Sequence, residues 1–207
     1  MVKDPAHTED RIKIRVIACG MIAREVIAIN EQLGFDYVDL KCLPAEYHFH
    51  PEKIAPAMDI AICRARADGY QHVFVGYADC GTCGGLDKVC EKHGVSRIAG
   101  PHCFSFYIGN QAFEEAAGAY LTTFFITDFL ARHFDEFLKR PLGLDRHPEL
   151  LEMYFGNYTK ALYIAQTDDP QLDEAAREAA DYLGLEYERR FTGYGDLVPA
   201  LAAIALE

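Results

Sequence analysis

No apolar run in this sequence approaches the roughly 20 residues that a membrane-spanning helix needs, so no span is expected. The first ten residues, Met1 to Asp10, hold no apolar segment of the kind that marks a secretory signal. Together these absences set the expectation of a soluble, cytoplasmic protein. Positive charge is scarce as well: 20 lysines and arginines face 32 aspartates and glutamates, a formal net charge of -12. Such a surface repels phosphate backbones and anionic bilayers, which argues against a nucleic-acid or membrane partner. Internal repeats, low-complexity segments and obvious linkers are missing too. The 207 residues therefore read as one α/β domain over 1–207, or as two half-domains, 11–110 and 159–207, joined by a helical segment, 111–158.

What is present alternates. Arg11 to Ala18 carries Ile12, Ile14, Val16 and Ile17 and stops at Cys19-Gly20, the pattern of a buried strand and a turn. Ile22, Val26, Ile29 and Leu33 then recur at helical spacing up to Gly34, a natural helix end. Tyr37 to Leu43 predicts a second strand, Pro51 opens a helix toward Gly69, and His72 to Tyr77 predicts a third strand. Leu86 to His93 predicts a short helix and Arg97 to Ala99 a fourth strand. From Phe106 to Tyr158 the chain reads as helical and aromatic-rich, which suggests an interface and a homo-oligomer. Ala161 to Gln166, Pro170 to Leu183, Leu185 to Phe191 and Asp196 to Leu206 resume the alternation as strand, helix, strand and helix. The expected fold class is α/β with a parallel, doubly wound, Rossmann-like sheet.

Seven cysteines form an odd number in a chain too long to need disulfide staples, which points to metal binding or thiol chemistry in a reducing compartment. Ligands of open parallel sheets bind outside the carboxyl ends of the strands. Cys19, Cys42, Asp79-Cys80-Gly81-Thr82 and His102-Cys103 all fall at such ends, and Gln166 to Asp169 and Thr192 to Tyr194 do so in the second half. Thiolates and a neutral imidazole gathered there would hold zinc or an iron–sulfur cluster. The expected metal ligands are Cys19, Cys80 and Cys103, with His102 as a fourth ligand or an acid/base and Asp79 as a base or an orienting carboxylate. Gly20, Gly81 and Thr82 are the expected cofactor-binding positions.

Each assignment has a plainer rival. A free cysteine is often a small buried hydrophobe, and Cys42 sits within an apolar run, while Cys63 and Cys90 fall on helices and read as packing residues. Cys80-x-x-Cys83 lacks a second cysteine pair at zinc-finger spacing. Asp79 and Glu25 are the carboxylates nearest these loops, and capping is the alternative role for Asp79. His48 and His50 read as surface or helix-entry residues, with substrate contact as the alternative, and Asp168-Asp169 before Pro170 reads as a helix start. The Gly81 to Gly85 segment has neither the Lys-Ser/Thr of a phosphate loop nor the spacing of the dinucleotide fingerprint.

The signatures Ala18-Cys19-Gly20, Cys42-Leu43-Pro44-Ala45, Tyr77-x-Asp79-Cys80-Gly81-Thr82, Gly100-Pro101-His102-Cys103 and Phe155-Gly156-Asn157-Tyr158 resemble a microbial family of domains of unknown function, over nearly the whole chain. Members of that family tend to be encoded near corrinoid-dependent methyltransferases. The resemblance thus implies a place in one-carbon metabolism, with a small molecule or a methyl-carrier protein as partner. It also implies glycine at the position of Cys83, which sets Cys83 aside as a ligand. The leading expectation is a zinc-dependent enzyme activating a thiolate or methylated substrate for methyl transfer. The alternatives are an iron–sulfur redox protein and a non-catalytic corrinoid- or metal-binding accessory to a methyltransferase.

Overall fold

The computed structural model describes residues 13–204. Arg11 and Ile12, at the start of the first expected strand, lie outside the described residues. The chain divides into two compact units, one running to His102 and resumed from Pro199, the other from Cys103 to Val198.

The first unit holds a four-stranded parallel sheet in the order β2-β1-β3-β4, built from β1 (Ile14–Cys19), β2 (Val38–Leu43), β3 (His72–Gly76) and β4 (Ser96–Arg97). Burial follows composition. β1 and β3 carry near-continuous apolar runs and are central, whereas β2 alternates Asp39 and Lys41 with apolar residues and forms an edge. α1 (Ala23–Leu33) and α3 (Gly85–His93) end at Gly34 and Gly94, both left-handed. Pro51 begins a short 3-10 turn that runs into α2 (Ile54–Ala67). α2 brings Ile54, Met58, Ile62 and Ala65 onto the core formed by Ile17, Val73, Val75, Tyr77 and Leu86.

The second unit opens with α4 (Cys103–Ile108) and α5 (Asn110–Glu115). Its sheet is parallel, in the order β5-β6-β7, from β5 (Thr123–Thr127), β6 (Lys160–Ala165) and β7 (Glu186–Phe191). β5 lies inside the stretch read as helical from sequence. Thr-Phe-Phe-Ile-Thr is a run of β-branched and aromatic residues too short to show a period, and its aromatic neighbours hide it. The rest of that stretch is short helices joined by turns, among them α6 (Asp128–Arg132), a single π-helical turn at 135–139, and α7 (Leu151–Phe155). α8 (Pro170–Leu183) starts at Asp169, whose side chain accepts from the Gln171 amide at 2.9 Å, the capping role expected for one of the paired aspartates. α9 (Leu197–Ile204) closes the described chain. No helix of the described residues is long and apolar enough to cross a membrane.

Candidate functional site

In the first sheet the strand order reverses between β1 and β3: β2 lies on the far side of β1, and β4 on the far side of β3. A crevice at such a point is where ligands of doubly wound sheets bind. Cys19 ends β1, and the loop carrying Cys80 leaves β3, so the two cysteines flank this position. Four of the five sequence signatures meet there pairwise. Gly20 is pressed against the loop after β2, where a Cβ would lie 3.1 Å from both the Leu43 carbonyl and the Ala45 amide. The amides of Asp79 and Cys80 donate to the carbonyls of Gly100 and Pro101 at 3.0 and 2.7 Å.

The loop after β3 has an uncommon backbone. Cys80, Gly81, Cys83 and Gly84 all have positive φ, 50°, 80°, 52° and 79°, and two of the four are residues that pay a steric penalty for it. Asp79 holds the loop in that shape. Its carboxylate accepts from the Thr82 hydroxyl at 2.8 Å and from the amides of Gly84 and Cys83 at 2.9 and 3.2 Å. Thr82 in turn accepts from the Leu86 amide at 3.2 Å, which ties the loop to the first turn of α3. Burial pushes the Asp79 carboxyl up, but these hydrogen bonds and the nearby Arg97 charge outweigh it and leave it below the usual carboxylate range. Both oxygens of Asp79 are thus engaged inside the loop, and Thr82 works with them. Gly81 faces Pro51, where a Cβ would stand 3.3 Å from the proline ring.

The sulfurs sit in a medium that disfavours charge. Burial raises the Cys19 thiol, partly offset by the Met21 amide and the Tyr77 hydroxyl. Burial and the charges of Cys19 and Asp79 push Cys80 up to about 12. Cys42 is raised by burial and by Cys19. Tyr77, 2% exposed, is lifted far above its ordinary range by burial and then by Cys19, Cys80 and Cys42. These four groups therefore form one electrostatically coupled set. The Tyr77 hydroxyl is buried without a hydrogen bond of ordinary geometry and reaches Cys19 only through a weak O–H···S contact.

Cys103 is the first residue of α4 in the second unit, and His102 is the last residue of the first. Burial lowers the His102 imidazole, partly offset by a backbone hydrogen bond. Glu25 is buried in the first turn of α1. His48 and His50 lie on the surface, His50 beside Glu52 at 3.3 Å. Cys90 packs in the core as expected, but Cys63 is exposed, because its position on α2 lies off the stripe of Met58, Ile62 and Ala65. Among the described residues of the first unit, Asp59, Cys63 and His93 are a group of three whose ligand atoms all lie within 4.8 Å of one another; Cys19, Cys42 and Cys80 are coupled without being drawn together so tightly. A groove along α2 is lined by Arg15, Lys41, Tyr47, Arg64 and Asp68 and by none of the thiols.

The second unit has a polar centre of its own, which joins Asp128 to the Gln166–Thr167 segment that the sequence placed at a strand end. Asp128, 1% exposed at the end of β5, accepts from the Tyr163 hydroxyl at 2.8 Å, the amides of Gln166 and Thr167 at 3.0 Å, and the Thr167 hydroxyl at 2.5 Å. The Gln166 side-chain oxygen returns a bond from the Asp128 amide at 2.8 Å. This network locks the carboxyl ends of β5 and β6 together. A lone Thr-Asp pair before a helix gives no sign in sequence of the four donors that converge on it.

A family model described as a protein of unknown function, DUF1638, matches residues 42–201. No curated protein and no solved structure matches the chain.

Proposed function

We propose, for a chain that belongs to the DUF1638 family of proteins of unknown function, that the crevice between β1 and β3 is a thiolate site for zinc, serving methyl transfer in one-carbon metabolism. The observation that carries this reading is the placement of Cys19 at the end of β1, Cys80 on the loop that leaves β3 and Cys42 near the end of β2, at the reversal of strand order, with the buried Tyr77 hydroxyl beside Cys19. Three thiols whose charge is unwelcome in their surroundings are stable as thiols, and become thiolates only beside a cation. The donor set is soft and suits zinc, and the buried Tyr77 hydroxyl is a ready donor to a bound thiolate.

Zinc held there would supply a Lewis acid for a thiol or methylated substrate. The chain's own part is to hold the sulfurs. Asp79 and Thr82 fix the left-handed loop that presents Cys80, Gly20 lets the loops after β1 and β2 approach, and Tyr77 steadies Cys19. The substrate side is a small methylated molecule or a methyl-carrier protein. Cys103, with His102 beside it, is the further sulfur that the sequence pattern puts forward.

Elemental analysis of purified protein beside Cys19→Ala, Cys80→Ala and Cys103→Ala variants tests the proposal. The expected result is the loss of one equivalent of zinc in the Cys19 and Cys80 variants, and loss in the Cys103 variant would add that sulfur to the ligand set. Wild-type protein with the same metal content as the Cys19 and Cys80 variants defeats it. Brown colour in anaerobically purified protein would assign the sulfurs to an iron–sulfur cluster instead, and metal-loaded protein without turnover on any one-carbon donor would make it an accessory binder.

A further inference from the structure

We propose a second metal site in the first unit, formed by Asp59 and Cys63 of α2 and His93 of α3, that takes a divalent cation of the zinc class independently of the cysteines at the strand ends. Asp59 and Cys63 are four residues apart on one helix and so project from the same face. His93, in the last turn of α3, completes the group, and the ligand atoms of all three lie within 4.8 Å of one another. Zinc with one sulfur, one nitrogen and one oxygen ligand needs these atoms roughly 3.3 to 3.8 Å apart, a spacing that small side-chain rotations supply by drawing the sulfur in and opening the His93–Asp59 contact. Three protein ligands would leave one position of a tetrahedron for water or an exogenous ligand.

The His93 Nε2 already lies 2.5 Å from the Asp59 Oδ1. A proton bridges two atoms there that are both metal donors. A cation at this position takes the place of that proton, which moves to Nδ1 or leaves to solvent along with the Cys63 thiol proton. Cys63 is exposed, so its sulfur is free to turn inward, and no packing reason explains a cysteine at an exposed helical position. Lys92 also holds Asp59, at 2.7 and 2.9 Å to its two oxygens. The ammonium competes with the metal for Oδ1 and, retained on Oδ2, orients the carboxylate as an outer donor. The plain rival is a surface ion-pair cluster of Asp59, Lys92 and His93 with a bystander thiol, and it predicts no cation uptake.

The test is cobalt(II) titration of chelator-treated, full-length protein, followed by the near-ultraviolet sulfur-to-cobalt charge-transfer band and by bound equivalents. Cys63→Ser and His93→Gln are each expected to lose one equivalent relative to wild type, while Cys19→Ala retains that equivalent. Zinc is expected to raise the melting temperature of Cys19→Ala more than that of a Cys19→Ala, Cys63→Ser double variant, and to perturb the His93 imidazole resonances. Unchanged cobalt stoichiometry in both Cys63→Ser and His93→Gln overturns the proposal. Where a variant fails to fold, His93 resonances that ignore zinc in the wild type overturn it equally.

Discussion

Cys80 bears a cost that a packing residue has no need of, a left-handed backbone at φ 50°, and burial together with Cys19 and Asp79 keeps its sulfur from ionising. Reactivity should follow. In metal-free protein at pH 8, mass-spectrometric mapping of alkylation is expected to find exposed Cys63 and Cys83 modified first, and Cys19, Cys80 and the core residue Cys90 last. Stability should report the same proton. The folded state holds the Cys80 proton up to about pH 12, against an ordinary value of 9.0. Its contribution is intact below pH 9 and is lost as the pH rises toward 12, so denaturant midpoints of the metal-free protein should fall across that window. A Cys80→Ala variant should show a smaller fall. Asp128 makes a different kind of claim, because four donors converge on a buried carboxylate. Asp128→Ala strands them and should cost about 3 kcal/mol or more in urea unfolding.

The loop from Asp79 to Gly85 is the element on which structure and proposed function diverge. Glycine at position 80 removes the backbone penalty and the thiol together, so Cys80→Gly should leave stability unchanged or raise it by about 1 kcal/mol while abolishing metal at the strand-end site. A mere packing role for Cys80 predicts the reverse, destabilisation with metal content unaltered. Asp79→Ala acts on the same loop by removing the acceptor of three hydrogen bonds, and should cost about 1 to 2 kcal/mol with metal affinity falling alongside. The sequence announced a loop here through its glycines. A carboxylate before a glycine-rich turn suits a base, an orienting partner or a cap, and only the folded loop shows Asp79 accepting from Thr82, Cys83 and Gly84.

Across the whole molecule the excess of acidic residues has a direct consequence: the protein should flow through a heparin column at physiological salt, and retention would reverse the exclusion of polyanionic partners. Hydrogen exchange should be slowest in the runs read most easily from sequence, β1, β3 and β6, whose residues are buried on both faces between neighbouring strands. Those strands, the helices ended by Gly34 and Gly94, and the cap at Asp169 were legible because hydrophobic period and turn chemistry are local properties of a chain. β5 was not, since five residues among aromatics carry no period. By itself the sequence determined an alternation of buried strands and helices, and hence parallel sheets with reactive residues at their carboxyl ends. Only the tertiary structure decided that strand order reverses between β1 and β3, that Tyr77 couples to three thiols, that Asp128 collects four donors, and that Asp59, Cys63 and His93 meet. Each of these joins residues through crossover connections or across helix faces, and such pairings follow from how elements pack, which no local window of sequence encodes.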